Sequence, residues 1–445
     1  MTETSTLTKI SRNKWEILIL IWVAYFLNQA DRQIFGVLVE DIQASLNLTT
    51  EQTGIIGTVF SLFYAFLVPF CGIIGNRISR KWILTLCILF WSVATMFTGL
   101  ATGMISLILL RSIATGGGEA FFGPNYNAMI AEYHTKTRAI AMSIVQMAYY
   151  IGMIASGVIA TTIAAQFNTP EHKDGWKYAF IIFGAIGVIW GIIMVFRLKD
   201  NRSLSNANDG KNDSLTVVNA LKDLGRTLKC MFTTPTAVAV IIGFAGLIFG
   251  LNGYLQWMKA FICERFPAMS DTEAATHAML YTHVAAFIGI LIAGPLSNLA
   301  NKKPQWRTAM QGLGLIISVP FILMMSLSHE LIIICIGLAG FGFFRAFFDA
   351  NTYVVLYDVI PARYHSSASG ILIMVGFGIG SLSTWLIGKI KLITGSYEDG
   401  IYKEGSYENG FIMIAIVWAV CGILTWLGCK LFYKKDILKL QQNEK

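Results

Sequence analysis

Long apolar runs recur from one end of the chain to the other, separated by short polar breaks, as in Ile17-Leu-Ile-Leu-Ile-Trp-Val23. Most runs extend over roughly 20 residues, the length a helix needs to cross the hydrocarbon of a bilayer. Helix is the form they must take there, because it satisfies its own backbone hydrogen bonds without water. A transmembrane barrel would instead need strands of about ten alternating residues, and these runs do not alternate. The pattern predicts an all-α polytopic membrane protein with twelve transmembrane helices. They fall at about 16–38, 54–74, 82–101, 104–125, 139–164, 178–196, 237–260, 276–298, 308–327, 330–356, 366–388 and 411–431.

The longest polar break, 197–236, includes Asn201-Arg-Ser-Leu-Ser-Asn-Ala-Asn-Asp-Gly210. Such a composition cannot build a core. It reads as a cytoplasmic linker, with a surface helix near 215–230, between a six-helix bundle at 1–196 and a second bundle with a cytoplasmic tail at 237–445. Equal halves point to a duplicated fold about an axis along the membrane normal.

Composition narrows the class further. Charged residues make up 13% of the chain and hydrophobic ones 55%, whereas soluble domains carry about a quarter charged residues. The net charge of +8 does not imply nucleic acid, because most Lys and Arg collect on one side of the predicted spans. That side holds Lys9, Arg12, Lys14, Arg77, Arg80, Lys81, Lys136, Arg138, the linker, Lys302, Lys303, Arg307 and the segment from Lys430 onward. By the positive-inside rule both termini are cytoplasmic. Short loops favour a bacterial inner membrane. The apolar run after Lys14 holds Asn28 and Asp31 and no small-residue cleavage pattern, so it reads as an uncleaved first helix.

Soluble-enzyme chemistry finds no support. The seven Cys sit mostly within apolar runs without metal-ligand spacing. Gly116-Gly-Gly118 lacks the strand, Lys and Ser/Thr of a phosphate loop. We expect no catalytic site, cofactor or metal, and a functional monomer whose partners are a small organic solute, a proton and membrane lipid. Without an ATP-binding domain, uphill movement must draw on a gradient. A channel would want a repeated ring of pore-lining charges rather than isolated pairs.

The informative residues are polar ones placed where apolar ones would suffice, since an ionised group in mid-bilayer costs several kcal/mol unless partnered or hydrated. In the first helix these are Asn28, Asp31 and Arg32. Asp31 and Arg32 diverge by about 100° and should meet different partners; they fit either a structural ion pair or substrate and proton handling. The fourth helix carries Arg111 and Glu119, with three glycines before the acid. Pro124 should bend or unwind it locally. Glu119 reads as a proton or cation site, or as the structural partner of an arginine. In the tenth helix Arg345 and Asp349 lie one turn apart, as an intrahelical pair or as a clamp for a carboxylate or phosphate. Asn252 and Gln256 share a face of the seventh helix and are candidate ligands, as are Tyr149 and Tyr150 of the fifth. Lys259 should snorkel to the outer surface.

Gly72-Ile-Ile-Gly-Asn-Arg-Ile-Ser-Arg-Lys81 resembles the cytoplasmic signature G-x-L-x-D-R-x-G-R-[RK] of the major facilitator superfamily. Gly72, Arg77, Arg80 and Lys81 match, while Asn76 replaces the acid and Ser79 the second glycine. The resemblance implies an inter-helix latch whose electrostatic part is weakened by Asn76. The fourth-helix pattern R-x-x-x-G is present only with an extra residue: Thr115 stands where glycine is expected after Arg111, and Gly116 follows. Without a local bulge, Glu119 would be rotated by about 100°.

Asn28-Gln-Ala-Asp31-Arg32, Gly118-Glu119-Ala120 and Asp358-Val-Ile-Pro361 resemble both organic-anion symporters and spinster-like lipid transporters. The spinster-like branch implies proton-linked roles for Asp31 and Glu119. The anion branch implies substrate binding by Arg32, Arg111 and Arg345. The expectation is therefore a proton-coupled symporter of an organic anion such as a sugar acid, bound between the two halves and released by alternating access. The alternatives are a spinster-like carrier of a lysophospholipid or sphingolipid-like molecule, and a non-transporting receptor or scaffold.

Overall fold

The computed structural model describes residues 3–75, 79–134, 138–169, 173–199, 217–299, 305–361, 364–398 and 401–443. Among them, eleven helices are long and apolar enough to cross a membrane. The helix Glu3–Val37 is not one of the eleven. The reason lies in its sequence: Asn28, Gln29, Asp31, Arg32 and Gln33 crowd its second half and dilute an otherwise apolar run. The predicted linker helix is present as Val217–Thr233; residues 200–216 lie outside the described ones. A short antiparallel hairpin pairs Ser396–Glu398 with Ile401–Lys403, in the turn-rich connection that precedes the last helix.

The chain forms two compact units, Met1–Leu46 with Leu67–Ser214, and Asn47–Phe66 with Leu215–Lys445. The long helix Thr50–Gly75 is thus divided, its first part belonging to the second unit.

In the first unit, Glu3–Val37 lies along Arg138–Phe167, and Arg80–Thr98 along Gly175–Arg197. The second contact is close because Gly184 presents no side chain; a Cβ there would come within 2.6 Å of the Ser92 and Met96 backbone. Ile21, Ala24, Ile88, Trp91, Phe122, Met129 and Val145 fill the core. Trp91 meets Phe122 edge-on, with ring centroids 5.3 Å apart. Outward-facing side chains such as Phe90, Ile105, Ile189 and Phe196 are apolar and exposed, as lipid-facing surfaces require.

In the second unit the helix Pro235–Arg265 is the most enveloped, with 72% of its spanning window buried. It contacts Asp271–Leu299, His365–Gly380 and Glu408–Asn443. Gly250 lets Trp418 close on it, and Trp418 stacks obliquely on Phe341 at 5.0 Å. The helices Asp271–Leu299 and Leu331–Val359 touch through Gly342, where a Cβ would fall 2.1 Å from the Thr282 carbonyl oxygen. Tight helix contact through small residues is the expected economy in lipid, where apolar burial alone does not draw helices together.

Gly342→Ala should therefore separate two packed backbones and cost about 1–3 kcal/mol, while Gly378→Ala, which would meet nothing within 4 Å, should be neutral. Thermal unfolding of the purified protein in detergent distinguishes them; equal melting temperatures would refute the close contact.

Candidate functional site

The predicted fourth helix is continuous as a span, Met104–Asn127, but not as an α-helix. Ile108–Thr115 is π-helical, followed by an α-turn Gly116–Ala120 and a fresh helix Phe122–Tyr133. Thr115 Oγ1 donates to the carbonyl of Leu110, five residues back, at 3.0 Å. A π-turn accommodates one residue more than an α-turn. The extra residue between Arg111 and the glycine run is taken up here, and Glu119 keeps its place beneath the first helix. Gly118 serves the same end: a Cβ there would press to 3.0 Å on Phe90 and Trp91. Pro124 lies in the first turn of the restarted helix, where its missing N–H would have no partner anyway, and Asn125 Nδ2 donates to Phe121 O at 2.7 Å.

Four charged side chains of the first unit meet at this point. Arg32 Nε lies 2.5 Å from Glu119 Oε2, with the acid's side chain fully buried and the arginine's 20% exposed. Arg111 NH2 donates to the main-chain carbonyls of Asp31 at 3.1 Å and Arg32 at 3.0 Å. Its NH1 lies 3.8 Å from Asp31 Oδ2, and that same oxygen accepts the Thr95 hydroxyl at 2.8 Å. Asp31 and Arg32 thus meet different partners, as their divergent directions require. Asp31 and Glu119 are also near enough to interact. Their remaining oxygens, Oδ1 and Oε1, are buried and accept no hydrogen bond from a described residue, and Asn28 Nδ2 is likewise unengaged. The other side of Asn28, Oδ1, accepts from Gln29 Nε2 at 2.7 Å.

Two turns before Arg32 on the same face, roughly 10 Å along the axis, stands Tyr25. Its ring lies 5.0 Å from Tyr126 and 6.4 Å from Tyr149. Tyr149 in turn meets Tyr150 edge-on at 5.1 Å. A charged end and an aromatic end therefore share one side of the first helix.

The second unit holds the remaining candidates. Arg345, 2% exposed, pairs with Asp349 at 3.3 Å across one helical turn. Gln256 Nε2 donates to Thr53 O at 2.9 Å, and Asn252 Nδ2 reaches Ser61 Oγ at 3.5 Å. Both amides thus address the first part of the Thr50–Gly75 helix. That segment is also held by Thr58, whose hydroxyl bonds Ser381 O at 2.9 Å and Thr384 Oγ1 at 2.8 Å, and by Trp385 donating to Glu51 at 3.0 Å. Lys259 does not snorkel: its side chain is 3% exposed and pairs with Asp271 at 2.5 Å, because a carboxylate at the start of the next helix supplies a nearer partner than water.

Of the latch residues, Asn76 and Arg77 lie outside the described residues. Arg80 opens the Arg80–Thr98 helix, and Lys81 Nζ lies 5.4 Å from the Trp82 ring centroid. Thr95 was not anticipated as a functional residue. Its signal was present: Ser92, Thr95 and Thr98 fall three residues apart, placing hydroxyls on one face of an apolar helix.

Removing one member of a buried pair strands the other. Arg32→Gln or Glu119→Gln should each lower stability by about 3 kcal/mol, and the double variant should fall short of the sum by about 1–3 kcal/mol. Strictly additive losses in detergent unfolding would show that the two side chains do not depend on each other.

The sequence profile of the Major Facilitator Superfamily matches residues 21–384. Protein spinster homolog 1 of Xenopus tropicalis is 25% identical over 98% of this chain and 84% of its own length. The hexuronate transporter of Bacillus subtilis (strain 168) is 23% identical over 92% of this chain and 94% of its own. Among solved structures, a bacterial homologue of the human lysosomal transporter Spinster, in an inward-facing and unoccupied conformation, superposes with a TM-score of 0.77 at 20% identity. That match covers 95% of this chain and 98% of the other. A chain built of membrane-length helices around buried acid–arginine pairs, and matched by this profile over most of its length, belongs to the Major Facilitator Superfamily, and is a multi-pass secondary transporter of small organic solutes.

Proposed function

We propose that the protein is a proton-coupled carrier of the spinster-like kind, moving a lysophospholipid- or sphingolipid-like molecule by alternating access. The observation that carries this reading is the 2.5 Å contact between Arg32 and Glu119 beside Asp31, with one oxygen of each acid buried and unengaged. A proton bridging those two oxygens would neutralise Glu119 and weaken its hold on Arg32. The guanidinium could then turn part of its donor capacity to an anionic headgroup through charge-assisted hydrogen bonds. Arg111, already spent on two main-chain carbonyls and Asp31, would hold the helix in place throughout. Tyr25, Tyr149 and Tyr150 would meet the less polar body of the solute. The charge and aromatic surface, separated along one helix face, support an amphipathic solute, and the near full-length likeness to the spinster homologue supports the same class.

A second reading is symport of a compact organic anion such as a sugar acid, with Arg32 or Arg345 as carboxylate clamp. The likeness to the hexuronate transporter supports it.

Proteoliposomes containing a pH-sensitive dye separate the two. Lysophosphatidylglycerol should evoke proton movement across the membrane, and Glu119→Gln or Asp31→Asn should abolish it while leaving the protein folded. Proton movement with galacturonate but not with the lysolipid would replace the first reading by the second. Transport of either solute at the same rate with and without a pH gradient, and without proton movement, would sink the coupling in both.

The pH response has a definite sign. Because the proposed step needs a proton on the acid pair, initial uptake should rise as the medium on the uptake side is acidified. Glu119→Gln, which holds that position neutral, should flatten the profile. A wild-type profile that rises toward alkaline pH would contradict the mechanism.

A further inference from the structure

At one end of the first unit the helices Glu3–Val37 and Gly175–Arg197 leave a groove of about 680 Å³, lined by Trp15, Glu16, Ile19, Leu20, Ile193 and Arg197. It lies apart from the acid–arginine cluster: Arg32 is 16 residues beyond Glu16, roughly 24 Å along the helix axis. Its floor continues an apolar outer face. Ile19 is 61% exposed, and Ile189, Ile192 and Phe196 are exposed on the neighbouring helix. In a membrane such a face meets acyl chains.

The rim is chemically different. Arg197 Nε holds Glu16 Oε1 at 2.7 Å, yet its side chain stays 66% exposed, leaving the two terminal nitrogens of the fork with no partner among the described residues. Lys14 Nζ lies 5.8 Å from the ring centroid of Trp15, a residue of the groove lining. The segment is braced rather than loose: Trp15 meets His134 edge-on at 5.3 Å, and His134 Nε2 bonds the Lys14 carbonyl at 3.0 Å. Just beyond Arg197 in the chain, the Tyr133 hydroxyl donates to the carbonyl of Lys199 at 3.0 Å. Arg197 in the lining, and Lys14 against the ring of the lining residue Trp15, are thus two cations to the one acid, Glu16, that lines the groove.

We infer that this groove binds one anionic glycerophospholipid. The phosphate would sit on the free edge of the Arg197 guanidinium and on Lys14, as charge-assisted bonds favour. An acyl chain would run over Ile19, Leu20 and Ile193, and Trp15 would sit at headgroup level, where amphipathic rings are favoured. A zwitterionic choline headgroup would bring its own cation into a rim whose single acid is already engaged. A free phosphate would gain nothing from the apolar floor. The site is distinct from the transport pathway proposed above, and does not depend on it.

Native mass spectrometry of the purified full-length protein tests this with added phosphatidylglycerol, phosphatidylcholine or inorganic phosphate. Phosphatidylglycerol should be retained preferentially, and Lys14→Gln and Arg197→Gln should each lower its affinity about fivefold, the effect of one surface cation on an anionic lipid. Ile193→Trp, which fills the groove without touching the charges, should also remove the preference. If Arg197→Gln fails to fold, Lys14→Gln and Ile193→Trp still decide the matter. Equal retention of the two lipids by the wild type, displacement of the lipid by millimolar phosphate, or unchanged retention in Lys14→Gln and Ile193→Trp would each overturn the proposal. Proton-coupled transport assays would be unaffected by that failure.

Discussion

A charged side chain within a membrane-spanning segment must find its partner in the protein, and in the first unit that constraint is met by Arg111. Its guanidinium accepts no ordinary one-to-one pairing. It donates to two successive carbonyls, those of Asp31 and Arg32, and faces the Asp31 carboxylate at 3.8 Å. Carbonyls in the body of an α-helix already accept an intrahelical bond, but each has a second lone pair. Arg111 uses those lone pairs to fix the position of the first helix without consuming the second oxygen of Asp31. Glu119 is thereby left to Arg32. Two arginines and two acids are thus divided into a scaffold pair and a pair with acceptor capacity to spare, and this division is what makes a proton-responsive reading possible.

The π-helical segment is the covalent counterpart of the same constraint. Arg111 and Glu119 must both face the first helix although the spacing between them exceeds the superfamily pattern by one residue. Unabsorbed, that residue would turn Glu119 by about 100° away from Arg32. A wider turn at Ile108–Thr115 restores the register, at the expense of regular α-helical packing that the following glycines then accommodate. Single π-turns inside α-helices are frequent at functional sites.

Much of this was legible before any coordinates. Runs of about 20 apolar residues specify spans because lipid leaves backbone polar groups no alternative partner, and a surface helix near 215–230, after the polar linker, is present as Val217–Thr233. The same reasoning placed Asp31, Arg32, Arg111 and Glu119 inside spans, since each interrupts an apolar run. What it could not supply were the pairings. Nothing in the linear order assigns Arg32 to Glu119 rather than to Asp349, or turns Arg111 toward carbonyls rather than toward a solute, because those choices depend on the rotation of separate helices. Neutral donors were harder still. Thr95 and Gln256 read as ordinary helix residues until their partners, Asp31 and the Thr53 carbonyl, are in place. Lys259 was misplaced for a related reason: a long cation near a helix end usually finds water, but here Asp271 opens the next helix close by.

The two units spend their polar groups differently, and the difference bears on where a proton can act. Around the first part of the Thr50–Gly75 helix, apart from the Glu51 and Glu404 carboxylates that accept from Trp385 and Thr50, the second unit relies on hydroxyls, amides and carbonyls: Thr58 with Ser381 and Thr384, and Gln256 with Thr53. None of these changes charge near neutral pH. The Arg345–Asp349 ion pair closes within one turn of one helix, so it is not itself a tie between helices. The Arg32–Glu119 contact joins two different membrane segments, 87 residues apart in the chain. On the proposed reading, protonation there would exchange an ion pair between helices for a neutral acid beside the guanidinium, and the helices' relative energy would change with it. A charge change can drive motion only through a contact that the motion breaks, and among these ion pairs Arg32–Glu119 is placed to satisfy that condition.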